Sequence, residues 1–95
     1  MPSIEPKTLI AQRNAFTNII DVREPDEFAA GHVDKSVNVP LSQLTKREGE
    51  VPAGAFIICR TGSRSALATE FLNSIGRNVT NVLGGVTSWP EELVR

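Results

Sequence analysis

Short apolar runs alternate along this chain with longer segments whose apolar residues recur at helical spacing. Brief runs rich in β-branched residues predict short buried strands. The predicted strands cover residues 3–4, 17–22, 36–40, 55–59 and 78–85. The run "AFIIC" at 55–59 is the most strand-like of these and is predicted to be central. Strands that alternate with helices favour an α/β domain with a mostly parallel sheet.

The segments between the strands carry helix start and stop signals. Helices are predicted to start near Pro6, Pro25, Leu41 and Ser63, and residues 84–94 are predicted to form a short terminal helix or turn. The segment from Ser63 has the clearest helical pattern. Its apolar residues Ala68, Phe71, Leu72 and Ile75 stand at i, i+3, i+4 and i+7, and Gly76 supplies the stop.

Length, charge and cysteine count narrow the class of protein. The 95 residues are predicted to form one domain spanning 1–95. Ten basic and eleven acidic side chains nearly cancel, and no basic stripe is interleaved with aromatics, so a nucleic-acid partner is not expected. A single cysteine and no signal-peptide pattern favour a reducing, cytoplasmic location. No apolar run approaches the ~18 residues of a membrane span.

The single cysteine, Cys59, ends the predicted central strand and precedes a short loop, residues 60–64, that leads into the best helix. In open α/β sheets, ligands bind beyond the carboxyl ends of the strands. The loop amides and the helix start form an anion-binding nest, and Arg60 and Arg64 add positive potential. Such surroundings lower a thiol pKa and favour the nucleophilic thiolate. The alternative is that Cys59 is a small core residue, as free cysteines often are.

Three blocks of sequence resemble the rhodanese-like sulfurtransferase family over nearly the whole chain. They are "IIDVREPDEFAAGHVDKSVNVPL", "FIICRTGSRSALATEFLNSIG" and "NVTNVLGGVTSWP". The resemblance implies a rhodanese-like fold, with about five short, mostly parallel strands flanked by helices on both faces, and no cofactor or metal. It implies that Cys59 takes a sulfane sulfur from a small anionic donor such as thiosulfate, a polysulfide or a persulfide. The sulfur is held as a persulfide and passed to cyanide or to a thiol acceptor, which includes glutathione, thioredoxin-type or other protein thiols.

Each loop residue has an expected role in holding the persulfide. The N–H groups from Arg60 to Arg64 are expected to stabilise the anion, and Gly62 allows the backbone to approach closely. Arg60 is expected either to attract an anionic donor or to be a solvated surface residue. Thr61 and Ser63 are neutral, so a preference for thiosulfate is less secure than persulfide chemistry. The related phosphatases carry one more residue between cysteine and arginine, so the spacing from Cys59 to Arg64 favours sulfur transfer.

Two further arginine predictions left alternatives open. Arg64 is expected to pair with Asp21 or Glu27 and so fix the loop's shape. Arg23 and Asp21 are placed in a second tier of site residues, at the carboxyl edge of the sheet. Arg23 is expected either to line the pocket mouth or to pair with Glu24 or Glu27.

The remaining singular residues are assigned structural roles. His32, the only histidine, is expected to be a turn residue, and Trp89 a packing residue. Residues 34–36, "DKS", depart from the family pattern and predict a local difference in the turn. Few contacts are expected around Cys59, so that a macromolecular acceptor could reach it. The competing function is a non-catalytic rhodanese-like module that senses sulfur or docks to a partner.

Overall fold

A computed structural model describes all residues, Met1–Arg95, and confirms the predicted α/β architecture. Five short strands form one parallel sheet: β1 (Ser3–Ile4), β2 (Ile19–Asp21), β3 (Val37–Asn38), β4 (Phe56–Ile58) and β5 (Thr80–Val82). The α-helices are α1 (Pro6–Gln12), α2 (Pro25–Ala30), α3 (Leu44–Arg47) and α4 (Ser63–Ser74). Three 3₁₀ turns cover Leu41–Gln43, Glu48–Glu50 and Gly85–Ser88.

The strand order is β1-β5-β4-β2-β3, which makes β4 the central strand, as the sequence predicts. Ile57 of β4 lies in register with Ile20 of β2 and with Asn81 of β5. Because all strands are parallel, their carboxyl ends share one edge, and the end of β4 lies in the middle of that edge. The segment that follows β4 is therefore surrounded by the segments that follow β2 and β5.

Alternate residues of β4 point to opposite faces of the sheet and enter two separate cores. Ile57 belongs to the larger cluster, together with Cys59 and with Leu72 of α4. Ile58 belongs to the second cluster, which includes Leu9 of α1 and Trp89. Helices therefore cover both faces, and Trp89 is a packing residue, as expected.

The buried stripe of α4 lies one turn closer to its start than the sequence predicts. The fully buried positions are Ser65, Ala68, Thr69 and Leu72, which keep the i, i+3, i+4, i+7 spacing. The helix ends at Ser74, so Ile75 lies beyond it and is 45% exposed. Hydrophobicity alone misplaces the stripe because two of the buried side chains are hydroxyls.

Two other predicted elements are shorter or more broken than expected. The single helix predicted at 41–49 is wrong: this segment is a 3₁₀ turn, the four-residue α3 and the start of a second 3₁₀ turn. The terminal segment forms one 3₁₀ turn, after which Val94 pairs with His32 in an isolated antiparallel bridge. The strands are shorter than their apolar runs, because an apolar side chain can be buried beyond the last ladder hydrogen bond.

His32 and the turn after it have local structural roles. The imidazole stacks on Phe28, with ring centroids 3.8 Å apart, and its Nδ1 lies 2.8 Å from the Phe28 carbonyl oxygen. In the "DKS" segment, Lys35 adopts a positive φ of 68° and the Ser36 hydroxyl donates to the Val33 carbonyl at 2.7 Å. The departure from the family pattern is thus accommodated in a closed turn.

Arg23 and Asp21 form a buried ion pair at the carboxyl end of β2. Arg23 Nε and Nη2 donate to Asp21 Oδ2 at 3.0 and 2.8 Å, and Nη2 also donates to the Gly31 carbonyl at 2.7 Å. Of the two alternatives for Arg23, the structure shows the salt bridge to a neighbouring acid and not the pocket mouth, and the acid is Asp21 and not Glu24 or Glu27. Asp21 lies only two residues away and is completely buried. Leaving its carboxylate without a counter-charge would therefore cost more free energy than leaving an exposed one unpaired.

No helix has the length and apolar character that crossing a lipid bilayer would require.

Removing the Asp21 charge is predicted to destabilise the protein strongly, because Arg23 would keep a buried and uncompensated charge. Asp21→Asn should lower the free energy of unfolding by about 3–5 kcal/mol, measured by denaturant unfolding. Glu50→Gln is the matched control, since it breaks the exposed pair with Arg47. Equal midpoints for the two variants would contradict this assignment.

Candidate functional site

Cys59 lies directly after β4, and its side chain is completely buried. It packs in the larger core cluster, so the prediction that few contacts surround it, leaving it within direct reach of a macromolecule, is wrong. The two sequence alternatives, a buried thiol and a thiol presented to the loop, are both partly met. The sulfur is buried, yet polar groups of the following loop and helix contact it.

Two polar groups contact the sulfur directly. The Gly62 N–H donates to Cys59 Sγ at 3.1 Å, and Ser65 Oγ lies 3.3 Å from Sγ. The Ser65 hydroxyl is also 3.1 Å from the Gly62 carbonyl oxygen. It has one proton, so it can donate to only one of these acceptors at a time. With a neutral thiol, Sγ–H donates to Ser65 Oγ; with a thiolate, the hydroxyl must turn and donate to the sulfur.

These donors outweigh the effect of burial on the pKa of Cys59. Burial raises the pKa because it disfavours the charged form. The Ser65 hydroxyl and the amides of Ser65, Gly62 and Thr61 lower it by more, so the pKa of the Cys59 thiol lies below its usual value. The start of α4 adds the positive end of a helix dipole. The site therefore favours a sulfur anion in a place that excludes water.

The outer surface of the loop is exposed and only weakly charged. Arg60, Thr61 and Ser63 are exposed, while Gly62 and Arg64 are partly buried. Arg60 makes no ion pair and is the free cation of this loop. The buried sulfur thus lies under the backbone of the loop, and Arg60, the next residue in the sequence, is the unpaired cation beside it.

Arg64 is held by Glu27, which decides between the two carboxylates that the sequence left open. Its Nη1 and Nη2 donate to the two Glu27 oxygens at 2.7 and 2.9 Å. Glu27 Oε1 also accepts the Glu24 N–H at 3.1 Å, in a capping box at the start of α2. The hydrogen bond from Arg64 lowers the pKa of Glu27 to about 2. The pair ties the first turn of α4 to α2 and so holds one end of the loop.

Ser65 is the site residue that the sequence reasoning missed. It lies one turn before Ala68 and Thr69 on the buried stripe of α4, facing the sulfur. The signal was present in the sequence as a hydroxyl at helical spacing from the core positions. Serine is usually exposed, so the residue type alone predicts a surface position.

The one large groove of the surface lies away from Cys59. It has a volume of about 670 Å³ and is lined mainly by polar residues, including Arg13, Lys35 and Glu91. The segments that form it precede β2 and β3 or follow Trp89, so it opens at the opposite edge of the sheet. No group of three or more His, Cys, Asp or Glu side chains lies close enough together to hold a metal ion.

The sequence model of the rhodanese-like domain matches residues 5–92 of this chain. The chain belongs to the rhodanese-like domain family. Solved rhodanese-like proteins share its backbone almost completely. A rhodanese-related protein from Thermoplasma volcanium superposes with a TM-score of 0.91 at 35% identity, over 99% of this chain and 98% of that one. A rhodanese-like domain protein from Staphylococcus aureus gives 0.88 at 28% identity, over 99% and 97%.

Several curated relatives of this rhodanese-like chain are sulfurtransferases. One from Allochromatium vinosum is 31% identical over 86 residues, which is 84% of this chain and 80% of that protein. An adenylyltransferase and sulfurtransferase from Ogataea parapolymorpha is 34% identical over 95% of this chain, but the chain spans only 24% of its length. The chain likewise spans 59% of the protein YqhL of Bacillus subtilis, at 38% identity over 75% of this chain.

The pair between Arg64 and Glu27 is predicted to stabilise the fold in a pH-dependent manner. The folded-state pKa of Glu27, about 2, lies below its ordinary 4.5, so the contribution is complete above 4.5 and is lost as the pH falls toward 2. Because the pair is partly exposed, Glu27→Gln should cost about 1–2 kcal/mol near neutral pH. Urea unfolding from pH 7 to 2 should show the variant and the wild type converging. An exposed control, Glu70→Gln, should show no such window, and parallel wild-type and Glu27→Gln curves would contradict the prediction.

Loss of the Ser65 hydroxyl is predicted to raise the pKa of Cys59, because a donor to the thiolate disappears while burial remains. For Ser65→Ala the midpoint of the Cys59 titration is expected to lie above that of the wild type. The pH dependence of iodoacetamide alkylation of the single cysteine measures it. Ser63→Ala, an exposed position in the same helical turn, should leave the profile unchanged. A Ser65→Ala profile that matches the wild type would exclude this role for the hydroxyl.

Proposed function

We propose that this protein is a sulfurtransferase in which Cys59 carries a sulfane sulfur as a persulfide. The observation that supports this most is the polar contact around the sulfur: the Gly62 amide donates to Sγ at 3.1 Å, and the Ser65 hydroxyl, 3.3 Å away, can turn to donate to the thiolate. Donors placed around a sulfur atom favour its thiolate, which is the form that acts as the nucleophile. Sulfurtransferases among the curated relatives agree with the assignment.

In the first half-reaction, the Cys59 thiolate attacks the sulfane sulfur of the donor. The Sγ–S bond forms as the bond between that sulfur and the rest of the donor breaks, and the leaving group departs with the electron pair. It leaves as sulfite from thiosulfate, or as a thiolate from a persulfide. The loop amides then stabilise the persulfide anion, as an oxyanion hole stabilises developing charge.

In the second half-reaction, an acceptor thiolate or cyanide attacks the outer sulfur of the persulfide. The Sγ–S bond breaks, and Cys59 recovers its electron pair as a thiolate, so no external oxidant or reductant is consumed. The outer sulfur stands about 2 Å beyond Sγ. Because Sγ itself is buried, this outer atom is the one that an acceptor contacts.

The outer face of the loop favours a broad range of donors over thiosulfate alone. Arg60 is the free cation there, and Thr61 and Ser63 add no charge. One unpaired arginine suits a singly charged persulfide or polysulfide at least as well as the thiosulfate dianion. The acceptor is a thiol of a small molecule or of a protein, and a reducing compartment such as the cytoplasm would keep Cys59 in the required form.

A second function, a sulfur-carrying or sensing module without turnover, is favoured by the burial of Cys59. A putative sulfur carrier protein of Bacillus subtilis is 36% identical over 76% of this chain, and the chain spans 40% of it. The two functions differ in the second half-reaction. A carrier or sensor would take up sulfur yet fail to release it to simple acceptors.

Incubation with thiosulfate or polysulfide is predicted to add the mass of one sulfur atom to the protein, located at Cys59. Intact-mass spectrometry measures the uptake, and cyanide or glutathione should then remove the added sulfur, because both attack the outer atom. Cys59→Ser should gain nothing, whereas Ser63→Ala, which changes an exposed loop side chain, should load normally. Full sulfur transfer by Cys59→Ser would overturn the proposal, and loading without release would favour the carrier.

A further inference from the structure

The turn that follows β5 is attached to the backbone of the Cys59 loop. The Val86 N–H donates to the Cys59 carbonyl at 2.8 Å, and the Thr87 N–H donates to the Arg60 carbonyl at 3.0 Å. On the same side, a Cβ on Gly62 would lie 3.3 Å from the Gly84 nitrogen, so these two backbones are in contact. The loop is thus fixed at several points by a segment remote from it in the sequence.

These attachments determine which way the loop amides point. No peptide bond of the chain is cis, and in a trans peptide the C=O and N–H point in opposite directions. The Arg60 carbonyl accepts from Thr87, so the N–H of Thr61, in the same peptide unit, points to the other side. This amide is one of those that lower the pKa of Cys59. Holding the carbonyls away from Cys59 Sγ therefore also presents the amides to it.

We propose that Gly85 is a positioning residue for the reactive sulfur: it lets the Gly85–Ser88 turn lie against the loop and hold its amides toward Cys59. This inference rests on the proposed function of Cys59 and extends it to a segment that the sequence reasoning used only for packing. Gly85 touches no substrate; it acts through the orientation of the Arg60–Thr61 peptide unit, whose N–H lowers the pKa of Cys59.

The need for glycine at this position is steric as well as conformational. Gly85 has a φ of 57°, and a Cβ there would overlap the carbonyl oxygen of Cys59 and lie 2.7 Å from that of Arg60. Both obstacles are backbone atoms of the loop, so a methyl group must displace the loop itself. At Gly84 a Cβ would instead meet the hydroxyl and the Cβ of Ser88, which belong to the same turn and not to the Cys59 loop.

Gly76 offers a matched control. It also has a positive φ, 86°, but a Cβ there would meet nothing within 4 Å. Gly76→Ala and Gly85→Ala therefore share the backbone strain of a left-handed alanine. Only Gly85→Ala adds the collision with the loop.

The decisive measurement is the pH profile of Cys59 alkylation in the two variants, each first shown to be folded. Gly85→Ala is expected to raise the midpoint by about one pH unit or more, because the amides no longer face the thiolate. Gly76→Ala is expected to keep the wild-type midpoint even if it lowers the melting temperature. Equal midpoints in both folded variants would overturn the proposal.

If Gly85→Ala does not fold, a backbone change tests the same contact more gently. Replacing Thr87 by its α-hydroxy acid counterpart exchanges its N–H for an ester oxygen and removes the hydrogen bond to the Arg60 carbonyl. The same exchange at Thr17, whose N–H donates to Asn14 in a distant turn at 3.1 Å, is the control. The proposal is supported if the ester at Thr87 raises the midpoint of the Cys59 profile while the ester at Thr17 leaves it unchanged. Unchanged midpoints with both esters reject it.

The positioning role of Gly85 and the sulfurtransferase function of Cys59 can be rejected independently of each other. Sulfur uptake by the wild type with no shift in Gly85→Ala would reject the positioning role alone. A shifted midpoint in a protein that never takes up sulfur would reject the sulfurtransferase and retain the positioning role.

Discussion

The stabilisation of a sulfur anion in a buried position is the constraint on which the rest of this structure depends. Removing Cys59 from water disfavours its thiolate, and in an apolar core the group would simply remain protonated. Here the amides of the loop and the Ser65 hydroxyl reverse that balance. The same low-dielectric surroundings that make an unpaired charge costly make each correctly aimed donor more effective. Burial and ionisation are therefore compatible only while the loop keeps its shape.

The surrounding elements hold that shape from several sides. Strand β4 delivers Cys59 to the middle of the carboxyl edge, and α4 begins immediately after the loop. The pair of Arg64 with Glu27 ties the start of α4 to α2. The turn at Gly85–Ser88 donates backbone hydrogen bonds to the carbonyls of the loop. The buried pair of Arg23 with Asp21 stabilises the neighbouring end of β2. Charged side chains thus serve the scaffold, and neutral amides and a hydroxyl contact the sulfur.

The sequence predicts the order of strands and helices well, because hydrophobic periodicity and the signals that start or stop an element are local properties of the chain. It also places Cys59 at the end of the central strand and narrows the partner of Arg64 to two carboxylates. Predictions from the sequence are wrong where tertiary contacts determine which side chains are buried or which charged groups pair. The stripe of α4 is displaced because two of its buried side chains, Ser65 and Thr69, are hydroxyls, and Ser65 faces the sulfur. Arg23 turns inward because Asp21 is buried beside it. The role proposed for Gly85 depends on a backbone contact between two segments that no local pattern reveals.

Direct titration of Cys59 tests whether the folded chain stabilises a buried thiolate. The chain has one cysteine and no tyrosine, so the ultraviolet absorbance of the thiolate can be followed against pH without interference from phenolate. The protein should be measured both folded and in denaturant. We expect a lower pKa in the folded protein than in the unfolded chain. An equal or higher folded-state pKa would mean that burial outweighs the loop donors, and would contradict it.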